Sequence, residues 1–149
     1  MRKRLTAQTI GPDKINQLRH VRFFKDASGV LAHMEKHAEI LRPKFKLVSE
    51  MLKNELGALD IARWTEPAGG YFVNFDCLEG CAKKIVALCA EAGVALTPAG
   101  ATYPNGHDPQ DKNIRIAPTF PPLAELKEAL EIFCTVVKLA SVEKLIELF

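Results

Sequence analysis

From Val30 to Leu56 apolar residues return every three or four positions: Leu31, Met34, Ala38, Leu41, Phe45, Val48 and Leu52. That is the period of an α-helix with one apolar face. No other feature of the 149-residue chain restricts its fold as much. Pro43 lies inside the run, where its ring removes a backbone donor and presses on the preceding turn, so the pattern predicts a kinked helix. Gly57 closes it. A shorter helix is predicted before it, from Pro12 to Phe24. Pro12 suits a first turn, Asp13 sits well against the helix dipole, and Ile15, Leu18 and Arg22 share one spacing. Asp26-Ala27-Ser28-Gly29 breaks the pattern between the two.

The remainder alternates short strand-like runs with helices. Ile61 to Trp64 and Tyr71 to Asp76 flank the turn Glu66-Pro67-Ala68-Gly69-Gly70, which is hairpin material. Glu79 to Ala92 reads as an amphipathic helix with Ala82, Ile85, Val86 and Cys89 inward, ended by Gly93. Val94 to Leu96 reads as a short strand, Thr97 to Lys112 as a long loop, and Ile114 to Ala117 as a further strand. Long ordered loops in compact domains tend to carry function, although His107 and Asp108 within this one read as solvated positions. Pro121-Pro122 then starts a helix whose apolar stripe is Leu123, Leu126, Leu130, Phe133 and Val137, and a separate short helix from Val142 to Leu148 is expected to end the chain. This order predicts an α/β (α+β) fold: a two-layer sandwich with a small, mostly antiparallel sheet of three to five strands covered by helices on one face.

Composition excludes several classes of function. With 20 basic and 18 acidic residues the net charge is +2, too balanced to argue for nucleic acid or an anionic membrane. The basic run Arg2 to Arg4 reads as a solvated end. No apolar run approaches the roughly 18 residues of a membrane span, and no signal-peptide segment opens the sequence, so a soluble, cytoplasmic protein is expected. Of the four cysteines none forms a CxxC pair, and Cys81, Cys89 and Cys134 fall in helical patterns as small core residues. His33 and His37, four apart on the long helix, lack both the HExxH order and a third ligand, and they read as a surface pair. No phosphate-binding glycine loop of either common pattern is present.

Chemistry concentrates at Asn113 to Pro118, NIRIAP. Side chains alternate along a strand, so Ile114 and Ile116 anchor one face while Asn113, Arg115 and Ala117 take the other. A guanidinium held on a packed strand stays charged and presents a planar fork that matches a carboxylate. Taken alone, the same pattern also describes an edge-strand arginine with its head in water.

Three stretches in register, EPAGGYFVNFD from Glu66, EAGVALTPAGATYP from Glu91 and NIRIAPTFPP from Asn113, resemble the C-terminal small domain of class I (fold type I) pyridoxal-phosphate-dependent aminotransferases. The opening TIGPDKINQLRHVRFFKD is similar to the aspartate-aminotransferase-like branch related to the MocR group. The resemblance implies that Arg115 grips the α-carboxylate of an amino-acid or 2-oxo-acid substrate. It also implies that the loop bearing Gly100 closes over the substrate side, with Tyr103 as a wall, and that Gly69, Gly70 and Tyr71 line the entrance. Residues 1–26 would be the end of the large domain and 27–149 the small domain, with the helix through Pro43 as connector. Thr9 to Gln17 would approach the active site of a homodimer partner.

The family holds its pyridoxal 5'-phosphate through a lysine on the large domain, and no lysine here has a motif to replace it. The sequence therefore reads as the part of an aminotransferase that follows the lysine segment, supplying the carboxylate-binding arginine but inactive alone. The competing expectation is a free-standing module that binds a small carboxylate or mediates dimerisation without catalysis.

Overall fold

The computed structural model describes residues 11–147. They fall into two compact units, one reaching Ile40 and one running from Leu41. In the first unit, α1 (Lys14–Phe24) starts at Asp13, whose carboxylate accepts from the Asn16 N–H at 2.9 Å, an ordinary N-cap. It buries none of its residues, and Phe23 is 67% exposed.

The next helix, α2 (Ala27–Leu56), begins earlier than its apolar pattern predicts. Asp26 is the reason: its carboxylate accepts from the Gly29 N–H at 3.0 Å and the Ser28 hydroxyl at 2.6 Å, so the residues read as a break form the first turn. Gly29 is required there, because a Cβ would stand 1.9 Å from the Phe24 carbonyl oxygen. Pro43 lies inside α2 without ending it.

The second unit is built on a three-stranded antiparallel sheet in the order β1 (Ala62–Trp64), β2 (Val73–Cys77), β3 (Asn113–Ile116). The predicted hairpin is β1 with β2, pairing Trp64 with Phe75, and β2 continues into β3 with Asn74 opposite Arg115 and Phe75 opposite Ile114. Opposed residues share a face. Val73, Phe75, Cys77, Ile114 and Ile116 therefore project together into the core, and the positions that alternate with them, Asn74, Asp76, Asn113 and Arg115, occupy the other face.

Three helices cover the apolar face: the C-terminal half of α2 through Val48, Leu52 and Leu56, α3 (Ala82–Glu91) through Ile85 and Cys89, and α4 (Leu123–Ile146) through Leu126, Leu130, Phe133 and Val137. Phe75 and Phe133 meet edge to face at 5.0 Å at its centre. Ion pairs Lys138–Glu55 (2.6 Å) and Lys84–Glu143 (2.8 Å) join α4 to α2 and α3 at the rim.

Several boundaries differ from the sequence expectation. Among the described residues Val94 to Leu96 pairs with no strand; its amide at Val94 donates instead to the Cys89 carbonyl (2.8 Å) and closes α3. α3 itself starts three residues late, because Gly80 adopts positive φ and its N–H and that of Ala82 donate to the Gln110 and Asp111 carbonyls. The two expected C-terminal helices are one. Ala140 and Ser141 are small enough to pass buried beside Cys81, whose thiol lies 3.9 Å from the Ala140 carbonyl, so nothing interrupts the helix there. Leu123, expected to begin the inward stripe, is 45% exposed at the helix start. Among the described residues no helix is long and apolar enough to cross a membrane.

Candidate functional site

Arg115 lies in the middle of β3, half-buried, with its neighbours in sequence packed into the core. Its guanidinium carbon sits 4.4 Å from the centroid of the Phe72 ring, within cation–π range. One terminal nitrogen is 3.5 Å from the Thr97 hydroxyl, a long and therefore weak hydrogen bond. Nε is sealed from solvent without an acceptor, and among the described residues no carboxylate pairs with this cation. A charge taken partly out of water is normally paired. This one stands beside an open groove of about 610 Å³, between the Gly93–Thr97 segment, the end of β3 and α4.

The loop before β3 is anchored on the same sheet face. Asp108 is only 5% exposed, and its carboxylate accepts from the backbone N–H groups of Gln110 (3.0 Å), Lys112 (2.9 Å) and Asn113 (2.8 Å). Burial acts to raise its pKa, but those three donors favour the charged form and hold the carboxyl below its usual value. The expectation of a solvated loop position at Asp108 is corrected: the side chain is spent on the local backbone. Buried Asn113 then donates to Asn74 (2.7 Å) and Asp76 (2.6 Å) and accepts from Thr102 (2.5 Å).

Gly100 is buried at φ +83°, and a Cβ there would stand 2.5 Å from the Gly106 carbonyl oxygen, so loop closure alone demands glycine. Tyr103, half-buried, takes a backbone bond from its N–H to the Gly100 carbonyl and leads into the short turn Pro104–Gly106. Gly70 has φ +93° with open space where a Cβ would be, and Tyr71 is exposed; both directly precede Phe72. The structure thus joins Arg115 to Phe72 and Thr97, neither singled out from sequence. Gly100 and Tyr103 connect to the strand through the Thr102 and Asp108 bonds.

Alternation offered a signal for Phe72, which shares a strand face with Asn74, the residue opposite Arg115. Thr97 had none, since a loop residue 18 positions away is brought in by tertiary packing. Of Thr9 to Gln17, Thr9 and Ile10 lie outside the described residues, and the rest is the exposed start of α1. His33 and His37 bring their Nε2 atoms to 3.1 Å at the surface of α2. Among the described residues no group of three or more metal-ligating side chains occurs.

A family model described as aspartate amino-transferase matches residues 1–148. The chain belongs to the aspartate aminotransferase family. Its sequence is 50% identical over 134 residues to an aspartate aminotransferase of Corynebacterium glutamicum, covering 90% of this chain and 31% of that protein. It is 52% identical over 139 residues to a Mycolicibacterium smegmatis protein that bears an aminotransferase name, covering 93% and 32%. The crystal structure of an aspartate transaminase from Corynebacterium glutamicum superposes with TM-score 0.88 at 47% identity, over 95% of this chain and 34% of that one. This aminotransferase-family chain therefore spans about a third of the length of its curated relatives.

The donor set around Arg115 fits a carboxylate and does not fit pyridoxal phosphate. Among the described residues no lysine lines the groove to hold the aldehyde, and Arg115 is its one cation. Lys44, at the Phe120 end, is committed to the Thr119 and Phe120 carbonyls at 2.7 and 3.4 Å.

Proposed function

We propose that this chain is the C-terminal small domain of a pyridoxal-phosphate-dependent aminotransferase, residues 27–149 following the end of the large domain at 1–26. Arg115 binds the α-carboxylate of the amino-acid or 2-oxo-acid substrate. The observation that carries the reading is the half-buried guanidinium with no carboxylate partner among the described residues, in a chain that matches the family model described as aspartate amino-transferase. A ligand carboxylate would meet a fork already placed and partly dried, where charge-assisted bonds are strongest.

The cofactor, when bound, supplies the electron sink for amino-group transfer. It is held by the large domain, the partner this domain requires, and the enzyme works as a homodimer. The domain's own task is to orient the substrate and exclude water as it closes. Gly70 and Tyr71 form the approach beside Phe72, and the loop through Gly100 and Tyr103 borders the substrate side.

Replacement Arg115→Leu in the full-length enzyme tests the reading. Two charge-assisted bonds at roughly 1.5–3 kcal/mol each amount to about 3–6 kcal/mol, or about two to four decades in kcat/KM. The cofactor absorbance is expected to stay unchanged, and Arg115→Lys is expected to recover only part, because an ammonium lacks the fork. A leucine variant within a few-fold of the parent removes Arg115 from the site.

A further inference from the structure

We propose that Phe72 is the positioning residue for Arg115, holding the guanidinium plane by its ring face so that the fork meets the substrate carboxylate without reorientation. The proposal rests on the reading of Arg115 as carboxylate binder and deepens it. Three observations carry it. The ring lies 4.4 Å from the guanidinium carbon, while Phe72 itself is 46% exposed and outside the core cluster, so core packing does not account for an aromatic there. Polar contacts leave the guanidinium loosely held: Thr97 is 3.5 Å away, and Nε has no acceptor. The register then fixes the geometry, because Phe72 directly precedes β2, on the side of the sheet shared by Asn74, and Asn74 is the cross-strand partner of Arg115.

An arginine side chain gives up substantial rotamer freedom when it grips a ligand, and whatever confines it beforehand lowers that cost. A cation over an aromatic face is confined by the ring's quadrupole, a force that an aliphatic side chain of similar bulk does not supply. The ring must therefore act as a ring. Its effect passes through Arg115, the side chain that it contacts.

The test compares Phe72→Leu, Phe72→Tyr and Phe72→Trp in the full-length holoenzyme, with L-aspartate and L-glutamate as donors and Arg115→Leu alongside. Phe72→Leu is expected to raise KM for the donor by about 5- to 30-fold, equivalent to about 1–2 kcal/mol at 1.36 kcal/mol per decade, with kcat within about two-fold. The tyrosine and tryptophan variants are expected to stay near the parent, and all three to keep the parent's cofactor absorbance. If leucine, tyrosine and tryptophan raise KM alike, bulk and not the ring face matters, and the proposal is overturned. It is overturned equally if Phe72→Leu leaves KM unchanged while Arg115→Leu collapses kcat/KM. If Arg115→Leu has no effect, the underlying reading fails first. Should Phe72→Leu not fold, Phe72→Met supplies the aliphatic arm.

Discussion

Asp108 shows how one side chain can set a loop. Its carboxylate collects three backbone N–H groups that the turn into β3 leaves without partners, one of them the buried N–H of Asn113. Asp108→Ala is expected to cost about 1.5–3 kcal/mol, since hydrogen bonds to a charged acceptor are lost and a buried donor is stranded. A lower urea midpoint with unchanged slope would show it. The sign of the pH effect follows from the lowered pKa. As pH falls the unfolded chain takes up this proton first, so the contribution is complete above the ordinary value of 3.8 and is lost below it as the folded carboxyl titrates. Asp108→Asn is expected to flatten that part of the acid limb. A variant as acid-sensitive as the parent would show that other carboxylates dominate.

Among the elements, β2, α3 and α4 meet in a region that contains all four thiols, each buried and free: Cys77, Cys81, Cys89 and Cys134. Cys77, unplaced by helical periodicity, is the last residue of β2, and its thiol donates to the Lys112 carbonyl at 3.2 Å. Burial is the leading cause of a raised pKa at every one, to about 12 at Cys77 and about 11 at Cys89 and Cys134, from an ordinary 9.0. A thiol raised from 9.0 to about 11 holds roughly a hundred-fold less thiolate near neutral pH, and thiolate is the reactive form. Cys89 and Cys134 are accordingly expected to react with Ellman's reagent at pH 8 at least about 100-fold more slowly folded than in concentrated guanidinium chloride. Fast labelling of either in the folded protein would contradict the packing. A raised folded pKa also means stability that is full below about 9 and lost as pH climbs toward 11–12, because the folded state there holds protons the unfolded chain has released.

On the scale of the whole molecule, the chain covers about a third of its relatives and carries an arginine suited to a carboxylate, but among the described residues no lysine lines its groove. Pyridoxal phosphate mixed with this chain alone is therefore expected to leave no visible absorbance after dialysis. A stoichiometric band surviving dialysis, traced to one lysine, would show a cofactor site within these residues. At the surface, α1 presents Ile15, Val21 and Phe23 to solvent and buries nothing.

What the sequence determined by itself was whatever a local period encodes. Alternation placed Ile114 and Ile116 in the core with Arg115 opposite, and the 3.6-residue period found α2, α3 and most of α4, because each side chain's direction follows from its own backbone. Three registered motifs were enough to name the family. Tertiary structure decided the rest, where energy is settled by groups distant in sequence. Val94 to Leu96 has the residues of a strand but no partner among the described residues, and strands exist only by pairing. Ser141 is buried within the continuous helix α4, next to Ala140, whose carbonyl lies 3.9 Å from the Cys81 thiol. Arg115 has its setting from Phe72 and Thr97, which are 43 and 18 residues away and reach it only once the hairpin and the loop have folded onto the same sheet.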